Sequence, residues 1–540
     1  MMVAILPPFL KWPATRSHLR QLSEMFPVTS NQQQTVADDE NRHFCIDHLK
    51  NNLGARSARG GMITLAAQVC KFVLSMVATI VLARLLTPND YGLIGMVAIV
   101  VGFLGMFQYL GLPTATISWS ELSHDQVNTL FWLNLALSAT IMALVMISAP
   151  LVARFYHEPR LVGITLGYSI TIFLIGFSIQ HQAILMRQMR FLVVAVIEIA
   201  AMVIGLCAAI IAALKGAGYW ALVLNQFVVA LVLIAGSWTA CRWRPGLPKR
   251  GADVRSMLSF GGNLTGYSVM SYFARNLDNT LIGRFWGAYQ LGVYSRAYQM
   301  LLMPMEQINT PLVSVAVPAL SRLSDSPARY RAAYLKILSK IAMLTMPGVV
   351  FMIATSDWLV LLLLGPQWRD TGRVFILLGL AAFIQPSTRS ALWLFTTQGR
   401  SREMFKWGIM GGVIAIVSII AGLRWGATGV AASYAITDLC ITTPLLFWYV
   451  GRRGPVRTSD FYRSMAPGIC ASLCSLATLL ICRPWLDTWP SLLARLSAAL
   501  TITMAVSVLV FAALPAGRVA IRSFKETLML LWKKEGVSTV

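Results

Sequence analysis

The sequence predicts an all-α integral membrane protein of about fourteen transmembrane helices, arranged as two six-helix repeats around a central cavity plus two C-terminal helices. Three observations support this prediction: an apolar composition, a succession of helix-length apolar runs, and short patterns that occur twice at a nearly constant spacing. Of the 540 residues, 56% are hydrophobic and 12% are charged, and the mean hydropathy is +0.65. Soluble domains carry roughly 25% charged residues, so this chain has too few charges to cover a water-exposed surface.

The formal net charge of +23 does not indicate a nucleic-acid partner, because Lys and Arg lie in short segments between apolar runs. The eight cysteines form no CxxC pair and no metal-ligand spacing. The sequence also contains no P-loop pattern for nucleotide hydrolysis. We therefore expect no enzyme activity, no catalytic residue, no cofactor and no bound metal.

The order of the apolar runs divides the chain into six regions. We expect a disordered cytoplasmic tail, a first six-helix lobe, a basic cytoplasmic linker, a second six-helix lobe, two additional helices and an amphipathic cytoplasmic tail, at residues 1–59, 60–240, 241–256, 257–450, 451–514 and 515–540. The fourteen predicted spans are 62–82, 93–117, 129–152, 161–181, 192–214, 219–240, 257–282, 291–320, 337–364, 374–396, 407–424, 428–450, 467–483 and 491–514.

The distribution of Lys and Arg predicts the orientation of these spans. Basic residues concentrate in alternate connections such as "CRWRPGLPKRGADVR" (241–255) and "GRRGPVRTSDFYR" (451–463). The other connections hold one or two basic residues each, among them Arg84, Lys215 and Arg284. By the positive-inside rule the basic connections face the cytoplasm. Both termini are then cytoplasmic.

Short patterns from the first half of the chain recur in the second half in the same order. "VLARLLTPNDYG" (81–92) is echoed by "LIGRFWGAYQLG" (281–292), which pairs Arg84 with Arg284 and Gly92 with Gly292 at a spacing of 200. The other matched pairs, at spacings of 207, 210 and 210, are Pro159 with Pro366, Arg190 with Arg400, and Gly216 with Gly426. Because six helices separate the copies, the repeats run parallel, around an axis along the membrane normal.

The first echo has the form R-x7-G in both halves. We expect this element to form the short outer turn between the first two helices of each half, with its glycine permitting the tight return. Arg84 and Arg284 are expected to anchor helix ends at the level of the lipid headgroups.

Two segments resemble bacterial polysaccharide flippases of the multidrug/oligosaccharidyl-lipid/polysaccharide exporter superfamily. They are "GGMITLAAQVCKFVLSMVATIVLARLLTPNDYGLIGMVAIV" (60–100) and "LLLLGPQW" (361–368), and the likeness extends over about 60–450. It is greatest toward the branch of the colanic acid exporters. The resemblance implies a multi-pass protein of the bacterial inner membrane, expected to be a monomer among membrane lipids. It also implies an undecaprenyl-diphosphate-linked oligosaccharide as substrate, and a polysaccharide polymerase and a chain-length regulator as partners.

Charged residues at membrane depth indicate where such a substrate would bind, because they are costly there unless they meet water or an opposite charge. Arginine suits a diphosphate particularly well. The residues predicted to contact the substrate are Asn263, Tyr267, Arg275, Asp278, Arg296, Glu306, Arg389 and Lys71. Glu198 lies at a similar depth in the fifth span.

The seventh predicted span is the most polar of the fourteen. Its polar residues recur at intervals of three or four and so share one helical face; they are Asn263, Tyr267, Ser271, Arg275 and Asp278. In a membrane such a face must meet protein or water. It either lines the cavity or holds an intrahelical Arg275–Asp278 pair against another helix.

Two other functions fit parts of the sequence. A multidrug or cation antiporter of the same superfamily would favour acidic residues in an apolar cavity, whereas the buried charges here lean cationic. A membrane polysaccharide polymerase would need a catalytic site, often in a large extramembrane loop, whereas the predicted outer loops are only about ten residues long.

Overall fold

The computed structural model describes residues 53–109, 113, 116–117, 122–247 and 255–522. Within these ranges the regular structure is entirely helical. The six helices of the first half are α1 (Leu53–Leu85), α2 (Pro88–Gly105), α3 (His124–Tyr156), α4 (Leu161–Arg187), α5 (Phe191–Leu214) and α6 (Trp220–Cys241). We call the end of the bundle that carries Arg84 the outer end, following the charge prediction.

The second half begins with a helical run of 67 residues, Arg255–Ser321. Gly287 interrupts this run with a φ of 78° and a ψ of −176°, so the chain turns back there. We label the two limbs α7 (255–286) and α8 (288–321). The following helices are α9 (Pro327–Ala354), α10 (Ser356–Leu363), α11 (Arg369–Thr397), α12 (Ser401–Gly422), α13 (Gly426–Thr437), α14 (Thr443–Gly451), α15 (Thr458–Asp487) and α16 (Leu492–Ala513).

Eleven helices in the described ranges are long and apolar enough to cross a membrane. The all-helical membrane fold is confirmed, but the count of fourteen is not reached by this criterion. The limbs of Arg255–Ser321 do not enter this count, because the side chains of 255–271 and 307–311 lie outside the described residues, and Ser401–Gly451 enters as a single span. That single span contains a 3₁₀ turn, Leu423–Trp425, followed by Gly426 with a φ of 69°.

Three boundaries differ from the prediction or escape it. Helix α1 begins at Leu53, inside the tail predicted for 1–59. The predicted ninth span, 337–364, divides at Thr355 into α9 and α10. Residues 1–52, residues 248–254 of the linker predicted for 241–256, and the amphipathic tail from 523 onward lie outside the described residues.

The inner ends of the two halves repeat each other in atomic detail. Arg190 precedes α5 with φ −83° and ψ 50°, and Arg400 precedes α12 with φ −86° and ψ 45°. Each guanidinium donates to a carbonyl oxygen at the end of the sixth helix of its half, from Arg190 to Ala240 at 2.9 Å and from Arg400 to Val450 at 3.3 Å. A cation at a helix C-terminus satisfies its unpaired carbonyls.

The R-x7-G element does not use its glycine to turn the chain, which corrects our expectation. The first outer turn ends at Thr87, which caps α2 in a reciprocal capping box with Asp90, and Pro88 takes the first helical position. Gly92 lies inside α2. In the second half the turn is made by Gly287 and not by Gly292.

Gly92 and Gly292 instead bring the two halves into backbone contact. A Cβ built on Gly92 would overlap the carbonyl oxygen of Ala288, and a Cβ on Gly292 would overlap that of Pro88. Pro88 and Ala288 are themselves 200 positions apart. The contact is therefore reciprocal, with α2 crossing α8 around a local two-fold axis. A buried apolar cluster surrounds the crossing and includes Leu93, Met96, Ile282, Leu291 and Tyr294.

The two additional helices, α15 and α16, belong to the second half. Gly468 of α15 packs against the backbone of Ala342 in α9, with 3.1 Å between a Cβ built there and the Ala342 carbonyl oxygen. At the outer end Arg483 of α15 donates to the carbonyl of Ala354 at 3.0 Å and to Asp357 of α10 at 2.5 Å. At the inner end Asp460 accepts both ends of the Arg331 guanidinium. This pair of helices is thus fixed to α9 along its length.

Candidate functional site

The outer ends of the halves are joined by two matching arginine contacts. Arg84, at the end of α1, donates to the carbonyl of Leu362 in α10 at 2.6 Å. Arg284, at the end of α7, lies 2.6 Å from Nδ1 of His157, which follows α3. Because arginine can only donate, His157 accepts through Nδ1. Each arginine thus bonds to the segment that follows the third helix of the other half. This contact between the halves goes beyond the headgroup anchoring that we expected.

In the turn at 157–160, the carboxylate next to His157 belongs to Glu158 and forms an ion pair with Arg160. Arg160 donates twice to Glu158, at 2.8 Å each. These hydrogen bonds lower the pKa of the Glu158 carboxyl below its ordinary value. Glu158 therefore stays ionised and bound to Arg160.

The loop after α10 caps the C-terminal end of α1 from the opposite half. The indole N–H of Trp368 donates to the carbonyl of Ala83 at 2.8 Å, and the amide of Gln367 donates to the carbonyls of Ala83 at 2.8 Å and Arg84 at 3.1 Å. These are carbonyls that a helix end leaves unpaired. Trp368 is fully buried. The "GPQW" segment thus ties the outer end of the first half to the second.

Tyr91 connects this outer contact to the interior. Its ring lies edge-on to Trp368, with 5.4 Å between ring centroids. On its other side the guanidinium carbon of Arg296, from α8, lies 3.7 Å from the ring centroid. This is a close cation–π contact between the halves. Nη1 of Arg296 also donates to Gln299 at 2.5 Å.

Arg296 lines an apolar groove that α1 of the first half forms with α8–α11 of the second half. The groove has a volume of about 200 Å³, and its other lining residues are Met76, Thr79 and Ile80 from α1, Gln299, Met300 and Pro304 from α8, and Phe351, Met352, Leu359, Leu363, Leu364 and Phe375 from α9–α11 and the end of α10. Among the described residues that line the groove, Arg296 is the only charged one. A basic group in an otherwise apolar groove can hold the phosphate end of a lipid while the groove takes the first part of its hydrocarbon.

Four other predicted residues lie near Tyr298 of α8, within the second half. Asp278, Arg389, Arg275 and Glu306 all lie within electrostatic range of its hydroxyl. Glu306 of α8 and Arg389 of α11 form an ion pair at 2.5 Å, with 47% and 35% of their side chains exposed. The pair is therefore only partly covered by protein.

Asp278 and Arg275 do not form the intrahelical pair that we considered from the sequence. The Asp278 carboxylate accepts from the Tyr294 hydroxyl at 2.8 Å and from the backbone N–H of Asn279 at 2.7 Å. The Arg275 side chain is exposed. The carboxylate of Asp278 is thus engaged by α8, and the intrahelical pairing of Asp278 with Arg275 is replaced by an interhelical hydrogen bond.

Lys71 and Glu198 are brought together in the first half. Lys71 Nζ of α1 lies 2.7 Å from Glu198 Oε2 of α5, and about 30% of each side chain is exposed. Mutual neutralisation reduces the cost of both charges in the membrane. The predicted contact residues therefore fall into three places: the Arg296 groove, the Tyr298 cluster and this pair. The side chains of Asn263 and Tyr267 lie outside the described residues.

Sequence reasoning missed the aromatic residues that connect these places. Tyr91, Trp368, Tyr294 and Tyr298 are ordinary apolar residues of membrane helices when read one at a time. The one available signal was the position of Trp368 in "LLLLGPQW" and of Tyr91 beside the repeated glycine.

Comparison with known proteins identifies relatives over most of the chain. Lipopolysaccharide biosynthesis protein WzxC of Escherichia coli (strain K12) is 24% identical over 398 residues, covering 72% of this chain and 80% of that protein. Succinoglycan biosynthesis transport protein ExoT of Rhizobium meliloti (strain 1021) is 24% identical over 411 residues, covering 75% and 82%. The structure of the lipid II flippase MurJ in an inward closed conformation matches with a TM-score of 0.62 and 13% identity, covering 84% of this chain and 99% of that one.

The structural likeness confirms the helical transporter fold and, at this identity, no more than the fold. The sequence likeness goes further, because residues 81–373 match the family described as "Polysaccharide biosynthesis protein", which is more than half of the chain. The resemblance inferred from "LARLL", "YG" and "LLLLGPQW" is thereby confirmed, and the chain belongs to the polysaccharide biosynthesis protein family.

Proposed function

We propose that this chain is a flippase that moves undecaprenyl-diphosphate-linked oligosaccharide repeat units across the bacterial inner membrane for exopolysaccharide or lipopolysaccharide synthesis. Two relatives support the proposal by name, one in lipopolysaccharide biosynthesis and one in succinoglycan transport. The fold, shared with a lipid flippase, supports a carrier of two halves. The substrate would cross by alternating access, with the cavity opening first to one side and then to the other.

The observation that supports this substrate best is Arg296 in the lining of the apolar groove. A lipid-linked sugar joins three chemical parts: an isoprenoid, a diphosphate and a sugar head. The groove that α1 forms with α8–α11 is apolar, as the first units of an isoprenoid require. Arg296 offers a planar fork of N–H groups to the diphosphate.

The residues around Tyr298 would meet the sugar head. Glu306 and Arg389 present both a carboxylate and a guanidinium at an exposed position, and sugar hydroxyls can bond to either group. Arg275 is exposed beside them and would add a second cation for acidic sugars. Asn263, Tyr267 and Lys71 remain proposed contacts on the strength of the sequence alone.

The sequence analysis also supports proposals for the orientation, the oligomeric state and the partners of the flippase. Both termini would face the cytoplasm, since the basic connections concentrate on that side. The chain would act as a monomer among membrane lipids. A polysaccharide polymerase and a chain-length regulator would act on the repeat units that it delivers.

The test is flipping of a fluorescent undecaprenyl-diphosphate oligosaccharide in liposomes that contain the purified chain, read by chemical quenching of the outer leaflet. We expect Arg296→Ala to slow flipping by about tenfold or more, because a desolvated phosphate loses its charge-assisted hydrogen bonds. Arg296→Lys keeps the charge without the fork and should retain part of the rate. Arg452→Ala is the matched control, because Arg452 also lies over an aromatic ring, Tyr449, at 4.1 Å but at the inner end of α14.

Normal flipping by Arg296→Ala at equal incorporation would remove Arg296 from the mechanism. If the wild-type chain flips no lipid-linked sugar and instead exchanges cationic dyes for protons, it is a multidrug antiporter. If it extends the saccharide, it is a polymerase.

A further inference from the structure

Arg296 and the ring that supports it belong to opposite halves of the protein. We propose that Tyr91 is a positioning residue that orients the Arg296 guanidinium for the diphosphate, so that this subsite is complete only while the outer ends of the halves are together. Opening of the outer end then lowers the affinity for the diphosphate and releases the substrate outward. The inference rests on the proposed function and adds the reason why release follows opening.

The contact geometry leaves the fork of Arg296 available. Its guanidinium carbon lies 3.7 Å from the centroid of the Tyr91 ring. At that distance the flat face of the guanidinium meets the ring, and its N–H groups point outward around the edge. One of them donates to Gln299, a residue that lines the groove with Arg296. Because Gln299 also lines the groove, an anion there would compete with its amide oxygen for this N–H group.

Tyr91 itself is held rigidly by the outer contacts. It is 4% exposed and belongs to the first turn of α2. Trp368 of the second half lies against its ring and donates to Ala83 at the end of α1. The next residue, Gly92, lies against the backbone of Ala288 in α8. Gly292, which follows Ala288 by four residues in the sequence, lies against Pro88 of the first half. Separation of the halves at this crossing therefore withdraws the Tyr91 ring from Arg296.

State-dependent affinity is what a carrier needs from its substrate site. A ligand shifts the equilibrium between two conformations only by its difference in affinity for them. A site built from one half would bind equally in both conformations and would have no such preference. A site shared between α2 and α8 binds tightly while the outer end is closed and weakly once it opens, so the diphosphate is retained on the inner side and released on the outer side.

The first experiment measures binding of a soluble probe, farnesyl diphosphate, to the full chain in lipid nanodiscs. We expect Tyr91→Leu to weaken binding by about tenfold, because it removes the ring. Tyr91→Phe keeps the ring and should restore most of the affinity, which a loss of packing alone would not explain. Tyr462→Leu is the matched control: Tyr462 packs on Phe447 in α14, remote from the seam between the halves.

The second experiment opens the outer end without touching Tyr91 or Arg296. Gly92→Val places a side chain where Ala288 now lies, and the double variant Arg84→Ala/Arg284→Ala removes both arginine contacts between the halves in case the valine variant fails to fold. Either change should weaken probe binding as Tyr91→Leu does. Adding Tyr91→Leu to it should then have little further effect, because coupled changes are not additive.

The outcomes separate the two proposals. If Tyr91→Leu binds the probe like wild type while Arg296→Ala does not, the positioning role of Tyr91 is wrong and the diphosphate subsite stands. If opening and Tyr91→Leu weaken binding independently, opening does not act through Tyr91, and the positioning role of Tyr91 in release is wrong. If the wild-type chain binds no farnesyl diphosphate, or Arg296→Ala binds it equally, the diphosphate subsite of the proposed function is wrong, and the inference with it.

Discussion

Glycines of one repeated pattern perform different tasks at positions 92, 287 and 292. Gly287 adopts a φ of 78° and turns the chain between α7 and α8. Gly92 and Gly292 are helical and lie where any Cβ would meet a backbone carbonyl of the other half. Sequence reasoning placed all such glycines in turns, because a sequence shows a glycine's conformational freedom but not which backbone approaches it.

Enlargement of either crossing glycine should therefore be costly. We expect Gly92→Ala and Gly292→Ala each to lower the free energy of unfolding by about 1–3 kcal/mol, since the methyl group must force α2 and α8 apart. Thermal unfolding in detergent measures the effect. Gly412→Ala in α12 is the control, because nothing lies within 4 Å of a Cβ built there, and it should be neutral or slightly stabilising. Equal effects at the three positions would contradict close approach as the role of Gly92 and Gly292.

Arg296 shows how far residue chemistry alone could predict the site. Its charge at membrane depth made it a candidate from the sequence, and the structure places it in the lining of a groove. Its support by Tyr91 could not be predicted, because those residues are 205 positions apart. Asp278 was a candidate for the same reason, yet its carboxylate is engaged by Tyr294.

Among the elements, the 255–286 limb is the one with the weakest apolar signal in the sequence. Polar residues recur along its length, and its register was read from the repeat. Strongly apolar helices such as α5 and α16 were predicted to within a few residues. Apolar runs mark the helix surfaces that face lipid. A membrane helix with a polar face has a shorter or interrupted apolar run, so hydropathy detects it less well. The division of 337–364 into α9 and α10 depends on packing that hydropathy does not report.

The end of α1 depends on a loop of the other half for its hydrogen bonds. We expect Trp368→Phe to lower the free energy of unfolding by about 1 kcal/mol, because it keeps a ring beside Tyr91 but removes one of the two donors to the Ala83 carbonyl and leaves the Gln367 amide alone there. Hydrogen exchange of the segment 82–93 should accelerate, as measured by mass spectrometry. Trp393→Phe is a control for a buried tryptophan outside this contact. Protection of 82–93 equal to wild type would show that the indole hydrogen bond does not stabilise the outer end.

At the scale of the whole molecule, the repeat in the sequence is a repeat in the contacts. Arg190 and Arg400 bond to carbonyls fifty residues ahead in both halves, and Gly216 and Gly426 both have positive φ values, of 79° and 69°. The spacings of 200 and 210 therefore predicted equivalent positions correctly. They could not predict that Arg84 and Arg284 each bond to the opposite half, because a pattern within one half gives no information on which residue of the other half it contacts.

These two arginine contacts should set the balance between closed and open outer ends. Arg84→Ala and Arg284→Ala each remove one hydrogen bond between the halves, and we expect each to favour opening by about 1 kcal/mol. The contacts involve different residues, so the double variant should combine both effects and open the outer end by about thirtyfold. The reporter is Leu291→Cys in a background without the eight native cysteines, because Leu291 is fully buried at the seam and lies 3.3 Å from a Cβ built on Gly95.

An impermeant maleimide added outside intact cells measures how often that cysteine is exposed. Wild type should react slowly, each single variant faster, and the double variant fastest. Arg495→Ala is the matched control, because Arg495 is also at the outer end but donates to Trp489 and Asp487 within the α15–α16 pair. A double variant that reacts no faster than this control would show that the arginine contacts do not hold the outer end closed. Reaction only from the cytoplasmic side would reverse the predicted orientation, because the Arg84 end would then be the inner one.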